Sequence, residues 1–254
     1  MGTLNDFEGR SALITGAASG IGAACAKALV ARGAAKLYLV DIDAKGLEAL
    51  DLPCEIERVV GSVSEEALWE RLLPHLSGLD HAIVNAGIGS GGLLSELSLA
   101  EWRRVMAINL DGAFLALRTA MQSMMASERG GSIVITSSTT GMKPVAGIGP
   151  YGISKAAVSH MARIAALEGA AQNIRVNAIA PGGVDTAIWE SSQDFTRSVE
   201  QHGREATLKA MAKTTPSGRF AAPEEIADTI LYLLSDGASN VTGHVLVSDG
   251  GYTL

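Results

Sequence analysis

From residue 10 onward, short apolar runs rich in Val, Ile and Leu alternate with longer segments whose apolar residues recur at helical spacing. This is the pattern of consecutive strand–helix–strand units, because two parallel strands need a long crossover between them and a helix supplies it. Strands are predicted at 11–15, 37–41, 57–60, 81–85, 132–137, 175–180 and 244–248, and helices near 20–32, 65–76, 99–126, 151–171 and 223–234. The strands are apolar almost throughout, as burial on both faces requires. The expectation is an α/β fold: one doubly wound parallel sheet of about seven strands with helices on both faces. One stretch, 187–217, breaks the alternation; it is polar, helical in parts, and follows the sixth strand. An insertion after a strand's carboxyl end lies over the ligand crevice of such a sheet, so this stretch reads as a substrate lid, with a solvated surface excursion as the alternative.

With 254 residues, 47% of them apolar, the chain can fill a sizeable core, and 1–254 is expected to form a single domain. A net charge of −7 without any run of Lys or Arg leaves no electrostatic footprint for nucleic acid or an anionic membrane, so the expected partner is a small molecule. Cys25 and Cys54 stand far apart and read as reduced structural thiols. The five histidines are scattered and no H-E-x-x-H occurs, so no metal site is expected; G-x-S-x-G is missing as well. No apolar run reaches membrane-spanning length, the first ten residues lack a signal-peptide layout, and Gly2 is followed by Asp6 where an acylation motif needs Ser or Thr. The expected location is the cytoplasm.

Directly after the first strand comes Thr15-Gly16-Ala17-Ala18-Ser19-Gly20-Ile21-Gly22, which opens into a helix. A dinucleotide pyrophosphate needs close backbone approach and free N–H groups at a helix start, and glycines at this junction allow both. The second strand ends at Asp41, nineteen residues past Gly22. A carboxylate there can accept hydrogen bonds from the adenosine ribose hydroxyls and repels a 2′-phosphate, which favours NAD over NADP. No Lys or Arg stands in the glycine loop or directly after Asp41. After the fourth strand, Asn85-Ala86-Gly87 brings small residues to the sheet edge; Asn85 either satisfies loop backbone groups or lines the pocket.

At the start of a later helix, Tyr151 and Lys155 share one face at i to i+4 spacing. Oxidising an alcohol removes a hydroxyl proton as hydride leaves the carbon, and a phenol is a poor base at neutral pH unless a neighbouring positive charge favours phenolate. Lys155 is spaced to supply part of that charge. In reverse, the protonated phenol would donate to a carbonyl oxygen. The preceding strand ends in Thr136-Ser137-Ser138, thirteen residues before Tyr151, where a hydroxyl could orient the substrate oxygen. Asn109 lies within a long amphipathic segment in which asparagine is a poor helix former; it is either tolerated there or marks a bend or water site.

Taken together, these residues resemble the short-chain dehydrogenase/reductase family over about 7–252. The resemblance rests on the 15–22 loop, Asn85-Ala86-Gly87, Asn109, Ser138, Tyr151-x-x-x-Lys155, Pro181-Gly182 with Thr186, and Asp249-Gly250-Gly251. It implies a Rossmann-like fold and a catalytic set of Ser138, Tyr151 and Lys155, with Asn109 holding a water in a proton relay to Lys155. It also implies that Lys155 binds the nicotinamide ribose, that Val184 and Thr186 contact the carboxamide end, and that the assembly is a homotetramer. Two positions depart from the family pattern: Val84 precedes Asn85 where a second asparagine is usual, and Gly61-Ser62-Val63 stands where the family often has Asp-Val to hold adenine. Ser62 can still bond the adenine amino group, more weakly without the charge. The expected activity is hydride transfer between NAD(H) and a modest-sized, largely apolar secondary alcohol or ketone, with Ile188, Trp189, Phe195, Leu208 and Met211 of the lid supplying apolar surface. The alternatives are an NADPH-dependent 3-oxoacyl carrier-protein reductase, which the acidic chain and Asp41 fit poorly, and a non-catalytic cofactor-sensing protein, which the intact Ser138, Tyr151 and Lys155 argue against.

Overall fold

The computed structural model describes residues 6–254; Met1–Asn5, including Gly2, lie outside the described residues. Strands β1 (Ser11–Thr15), β2 (Lys36–Asp41), β3 (Glu55–Val60), β4 (His81–Val84), β5 (Gly131–Thr136), β6 (Ile174–Pro181) and β7 (Val245–Ser248) form one seven-stranded sheet in the order β3-β2-β1-β4-β5-β6-β7. Every neighbouring pair is parallel. The helices are α1 (Gly20–Ala31), α2 (Ala44–Glu48), α3 (Glu66–Leu72), α4 (Leu99–Met106), α5 (Gly112–Ser127), α6 (Gly149–Gly169), α7 (Gln193–His202), α8 (Arg204–Met211) and α9 (Pro223–Leu234).

Side chains of a strand alternate between faces, and here both faces are covered. On one side Leu13, Val84, Ile133, Ile135 and Val176 pack with Trp69 of α3, Leu115 to Met124 of α5 and Val158 to Ala166 of α6. On the other, Ala12, Ile14, Leu37, Leu39, Ile83 and Val134 meet Cys25 and Leu29 of α1 and Ile226 to Leu234 of α9. Alternate residues of β1 thus serve two separate cores, which is why the strand reads as unbroken apolar sequence. Cys25 sits fully buried among these side chains.

Three elements differ from the sequence expectation. The helix expected over 99–126 is two helices, α4 and α5, joined by a π turn at Ala107–Asp111. This π turn keeps the chain helical on either side and contains no Pro or Gly to mark it, so a coarse helical reading runs straight through. The helix expected over 65–76 ends as a tighter 3-10 turn at Leu73–His75, where Pro74 has no N–H to donate. Finally, α6 begins two residues before Tyr151, placing that residue in its first turn. Among the described residues no helix is long and apolar enough to cross a membrane.

At the amino edge of the sheet, His81 is buried with its ring 5.1 Å from Phe7 in an edge-on arrangement. Ser132 Oγ donates to the Leu234 carbonyl at 2.8 Å, so it accepts from Nδ1–H of His81, also at 2.8 Å, and Nε2 is left without a partner. Burial is the main cause that holds the imidazole down to about 4, against an ordinary 6.5. The unfolded chain therefore binds a proton here that the folded chain refuses, and stability falls as pH drops from the ordinary value toward about 4. The whole effect amounts to ~3 kcal/mol. Urea unfolding of wild type and His81→Phe between neutral pH and the low end of that window should show a shallower pH dependence in the variant; equal slopes would contradict the assignment.

Candidate active site

Because all strands point the same way, the ends of β1, β2, β4, β5 and β6 meet along one edge. The chain builds outward from β1 to β3, then returns to β4 on the other side of β1, leaving a crevice between the two directions. The glycine loop crosses this crevice. Gly16 and Gly20 adopt φ of +65° and +52°, where a side chain is strained. A Cβ on Gly22 would lie 2.0 Å from the Gly16 carbonyl oxygen, so the loop can fold back onto α1 only with glycine there. Ser19 caps α1 without a side-chain hydrogen bond, and the first turn holds no acidic residue. The helix start therefore offers uncommitted N–H groups, the positive end of the helix dipole and the exposed Ser19 hydroxyl, while Ile21 packs partly into the core behind them. These residues fit a dinucleotide pyrophosphate.

Asp41 ends β2 beside this loop. Its Oδ2 accepts from Ala18 N at 2.9 Å and its Oδ1 from Asp43 N at 3.0 Å, which fixes the carboxylate while leaving lone pairs for further donors. At the end of β3, Ser62 Oγ pairs with Ser64 Oγ at 2.8 Å and accepts from Ser64 N at 3.3 Å, so its hydroxyl is already partly engaged. Val63 is a core residue, and a Cβ on Gly112 would lie 2.6 Å from its Cγ2.

Asn85, open to two readings in the sequence, has a structural role. Its Nδ2 donates to the carbonyls of Thr15 (3.2 Å) and Gly16 (3.3 Å), and its Oδ1 accepts from Thr136 Oγ1 at 3.2 Å. Thr15 Oγ1 in turn accepts from the amides of Asn85 and Ala86 at 2.9 and 3.0 Å. One amide side chain and two threonines thus lock the ends of β1, β4 and β5 together. Gly87 follows, and a Cβ there would stand 3.4 Å from both Asn109 Oδ1 and Lys155 Nζ.

Ser138, Tyr151, Lys155 and Asn109 converge beneath that point. Lys155 is buried, and its Nζ donates to the Thr136 carbonyl at 2.7 Å while standing 5.7 Å from the centre of the Tyr151 ring. Ser137 Oγ donates to the Lys155 carbonyl at 2.8 Å, and a Cβ on Gly141 would lie 2.7 Å from the Lys155 carbonyl carbon, so β5 and its following turn are pressed against α6. Ser138 Oγ accepts from Thr140 N and Oγ1 at 3.2 and 3.0 Å, fixing the hydroxyl near the phenol. Asn109 sits in the π turn. Its Oδ1 accepts from Ile88 N at 2.8 Å, and its Nδ2 donates to the Ile88 carbonyl at 3.0 Å and to Ser154 Oγ at 3.3 Å. The side chain thus clamps the loop after β4, and its direct partners do not include Lys155.

Burial pushes the Tyr151 phenol above its ordinary value, opposed by the hydrogen bond with Ser138. Burial also brings Lys155 down to about 8. The residues alone therefore do not give the depressed phenol anticipated from the Tyr–Lys spacing, because desolvation penalises the phenolate and the ammonium alike. A further positive charge near the phenol would oppose this desolvation, and an oxidised nicotinamide would carry one.

The remaining motif positions frame the other side. Gly182 N donates to the Ser248 carbonyl at 3.0 Å, and a Cβ on Gly182 would lie 2.9 Å from Asp249 Cα, so Pro181-Gly182 is packed against the turn after β7. That turn is held by Asp249, which accepts from Gly251 N and Thr253 N, each at 2.8 Å. Val184 pairs with Ala221, and its carbonyl accepts from Trp189 Nε1 at 2.7 Å. Thr186 rests against the glycine loop: a Cβ on Gly20 would be 3.1 Å from its Cγ2. In the following segment Trp189 stacks on Phe220 at 5.3 Å, and Phe195 is 4% exposed. Phe195 is thus buried within the segment, 6.3 Å from the half-buried Trp189, while Phe220 lies outside the segment. Among the described residues no group of three or more His, Cys, Asp or Glu is placed to hold a metal ion.

Comparison with known proteins agrees with this geometry. The family described as Enoyl-(Acyl carrier protein) reductase matches residues 16–253. The cis-4-hydroxycyclohexanecarboxylate dehydrogenase of Sinomonas cyclohexanicum is 38% identical over 97% of this chain and 98% of that protein. Levodione reductase superposes with a TM-score of 0.88 at 34% identity, covering 96% of this chain and 98% of that one. A 3-oxoacyl-[acyl-carrier protein] reductase from Brucella melitensis, solved with bound NAD, superposes with a TM-score of 0.83 at 30% identity over 99% and 94% of the two chains. The chain belongs to the short-chain dehydrogenase/reductase family. It is an oxidoreductase acting between a secondary alcohol and a ketone, in a family that binds nicotinamide cofactors.

Alcohol oxidation should accelerate with rising pH as Tyr151 ionises, and Lys155→Ala should displace that transition upward, since a donor and partial positive charge beside the phenol is lost. A pH–rate profile of kcat/KM that is unchanged by Lys155→Ala would contradict the role of Lys155.

Proposed function

We propose that the chain is an NAD-dependent dehydrogenase or ketone reductase for a modest-sized alicyclic secondary alcohol. The observation that carries the NAD preference is the Asp41 carboxylate, held by Ala18 N and Asp43 N beside the glycine loop, where it would accept from the adenosine ribose of a bound cofactor. A 2′-phosphate would be placed against that charge, and the exposed residue that follows is Ile42, which offers no compensating cation. The alicyclic substrate is supported by a relative named for a hydroxycyclohexanecarboxylate.

In this reading Gly16, Ser19, Gly20, Ile21 and Gly22 cradle the pyrophosphate. Asp41 accepts from the ribose, and Ser62, Val63, Asn85, Ala86 and Gly87 form the adenosine side. Pro181, Gly182, Val184 and Thr186 border the nicotinamide end. A bound nicotinamide would supply or accept the hydride and, when oxidised, would add a positive charge that favours the Tyr151 phenolate. Tyr151 takes the hydroxyl proton of the alcohol, or gives a proton to the ketone oxygen. Ser138 orients that oxygen, and Lys155, anchored on the Thr136 carbonyl, favours the phenolate and holds the ribose. Asn109 holds the loop after β4 through Ile88 and with it the surroundings of the relay to Lys155. The whole chain acts as a single domain with 187–217 as substrate lid, in a cytoplasmic homotetramer.

Absorbance at 340 nm with NAD and then NADP, against a panel headed by cyclohexanols, should show turnover with NAD. Asp41→Ala should narrow the NAD preference by about tenfold or more, the equivalent of one lost charge-assisted hydrogen bond. Turnover with NADP alone would overturn the role given to Asp41 and favour the 3-oxoacyl carrier-protein reductase alternative.

A further inference from the structure

Arg204 opens α8 and reaches back to the segment that leaves β6. Its Nε and one terminal nitrogen both donate to Asp185 Oδ1, at 3.0 and 2.6 Å. The same terminal nitrogen donates to the Thr186 carbonyl at 3.2 Å, and the other donates to Glu190 at 3.3 Å. The guanidinium carbon stands 5.5 Å from the centre of the Phe195 ring, itself 4% exposed. One side chain therefore ties together the strand exit, the 3-10 turn Ala187–Ser191, α7 and α8.

The strand exit borders the cofactor cradle. Asp185 N donates to the Ala221 carbonyl at 3.0 Å, which holds this backbone from the opposite side, and Thr186 rests against Gly20 of the glycine loop. Arg204 grips both the Asp185 side chain and the carbonyl of the residue that touches the dinucleotide cradle. A single exposed ion pair would contribute little. A planar guanidinium spread over a carboxylate, a carbonyl, a second carboxylate and a ring fixes a geometry, and an ammonium, having no fork, cannot reproduce it.

Resting on the dinucleotide reading of the site, we propose that Arg204 is a positioning residue that couples closure of the lid to seating of the nicotinamide end of the cofactor. With Arg204 in place, ordering α7 and α8 and ordering Thr186 are one event. Without it, the cofactor can bind while the lid stays loose, and its affinity drops by the part of the contact that Thr186 no longer makes.

The test uses the intact protein and NADH as the probe. Two readouts are compared: the Kd from NADH fluorescence, and tryptic cleavage at Arg197, Lys209 and Lys213 of the lid, with and without saturating NADH. Wild type should be protected by NADH. Arg204→Ala should bind NADH about five- to tenfold more weakly and lose that protection, with Arg204→Lys recovering only part of each. Asp185→Asn, which keeps an acceptor in place, should reproduce the loss in smaller degree. In combination with Arg204→Ala it should add less than the sum of the two, because both act on one contact. Should Arg204→Ala fail to fold, Asp185→Asn and Arg204→Lys carry the same comparison. Unchanged NADH affinity and unchanged protection in folded variants would overturn the proposal. A wild-type protein that binds neither NADH nor NADPH would instead overturn the dinucleotide reading and this proposal with it.

Discussion

Every strand of the sheet runs in the same direction, and the active site depends on that constraint: five strand ends, carrying Thr15, Asp41, Asn85, Thr136 and Pro181, arrive at one edge. Parallel pairing demands long crossovers, the crossovers are helices, and the helices bury both faces, so the only place left for polar chemistry is the edge where loops begin. The order in which the strands are laid down opens a crevice beside β1. The glycine loop occupies it because Gly16, Gly20 and Gly22 allow backbone positions that a Cβ would block or strain.

The edge is held rigid by buried polar groups that satisfy one another. Asn85 and the two threonines Thr15 and Thr136 join three strand ends, and the Thr136 carbonyl then accepts from Lys155. The lysine is thereby fixed to the same network that holds the start of the glycine loop. Desolvation makes its charge costly, which is why it sits at about 8 and why it supports a phenolate only in part. An oxidised nicotinamide bound at this edge would add positive charge that favours the phenolate, and its loss on reduction would favour the phenol.

Much of this was legible in the amino-acid order. The uninterrupted apolar strands announced a sheet covered on both faces, and the glycines between β1 and α1 announced a tight strand-to-helix junction. Tyr151 and Lys155 were legible because their spacing is local to one helix. What was hidden depended on distant partners or on backbone detail. Asn85 could not be assigned because the atoms it satisfies belong to residues 69 and 70 positions earlier and 51 later. The π turn around Asn109 answers to one of the two readings of that residue, a bend, but its backbone form carries no residue signal of its own. Phe195 read as a substrate-facing apolar group, yet it is buried, against Trp189 among others. Arg204 carried no sequence signal, since a charged residue on a polar helix is ordinarily solvated.

If the edge residues bind a dinucleotide and Tyr151 alone among them moves the substrate proton, binding and chemistry are separable at one hydroxyl. The direct measurement is a single-turnover reaction with Tyr151→Phe, preceded by a fluorescence titration of NADH. Near-wild-type NADH affinity is expected, together with hydride transfer slowed by at least about two orders of magnitude, as for loss of a general acid–base group. Hydride transfer at the wild-type rate in this variant would contradict the mechanism.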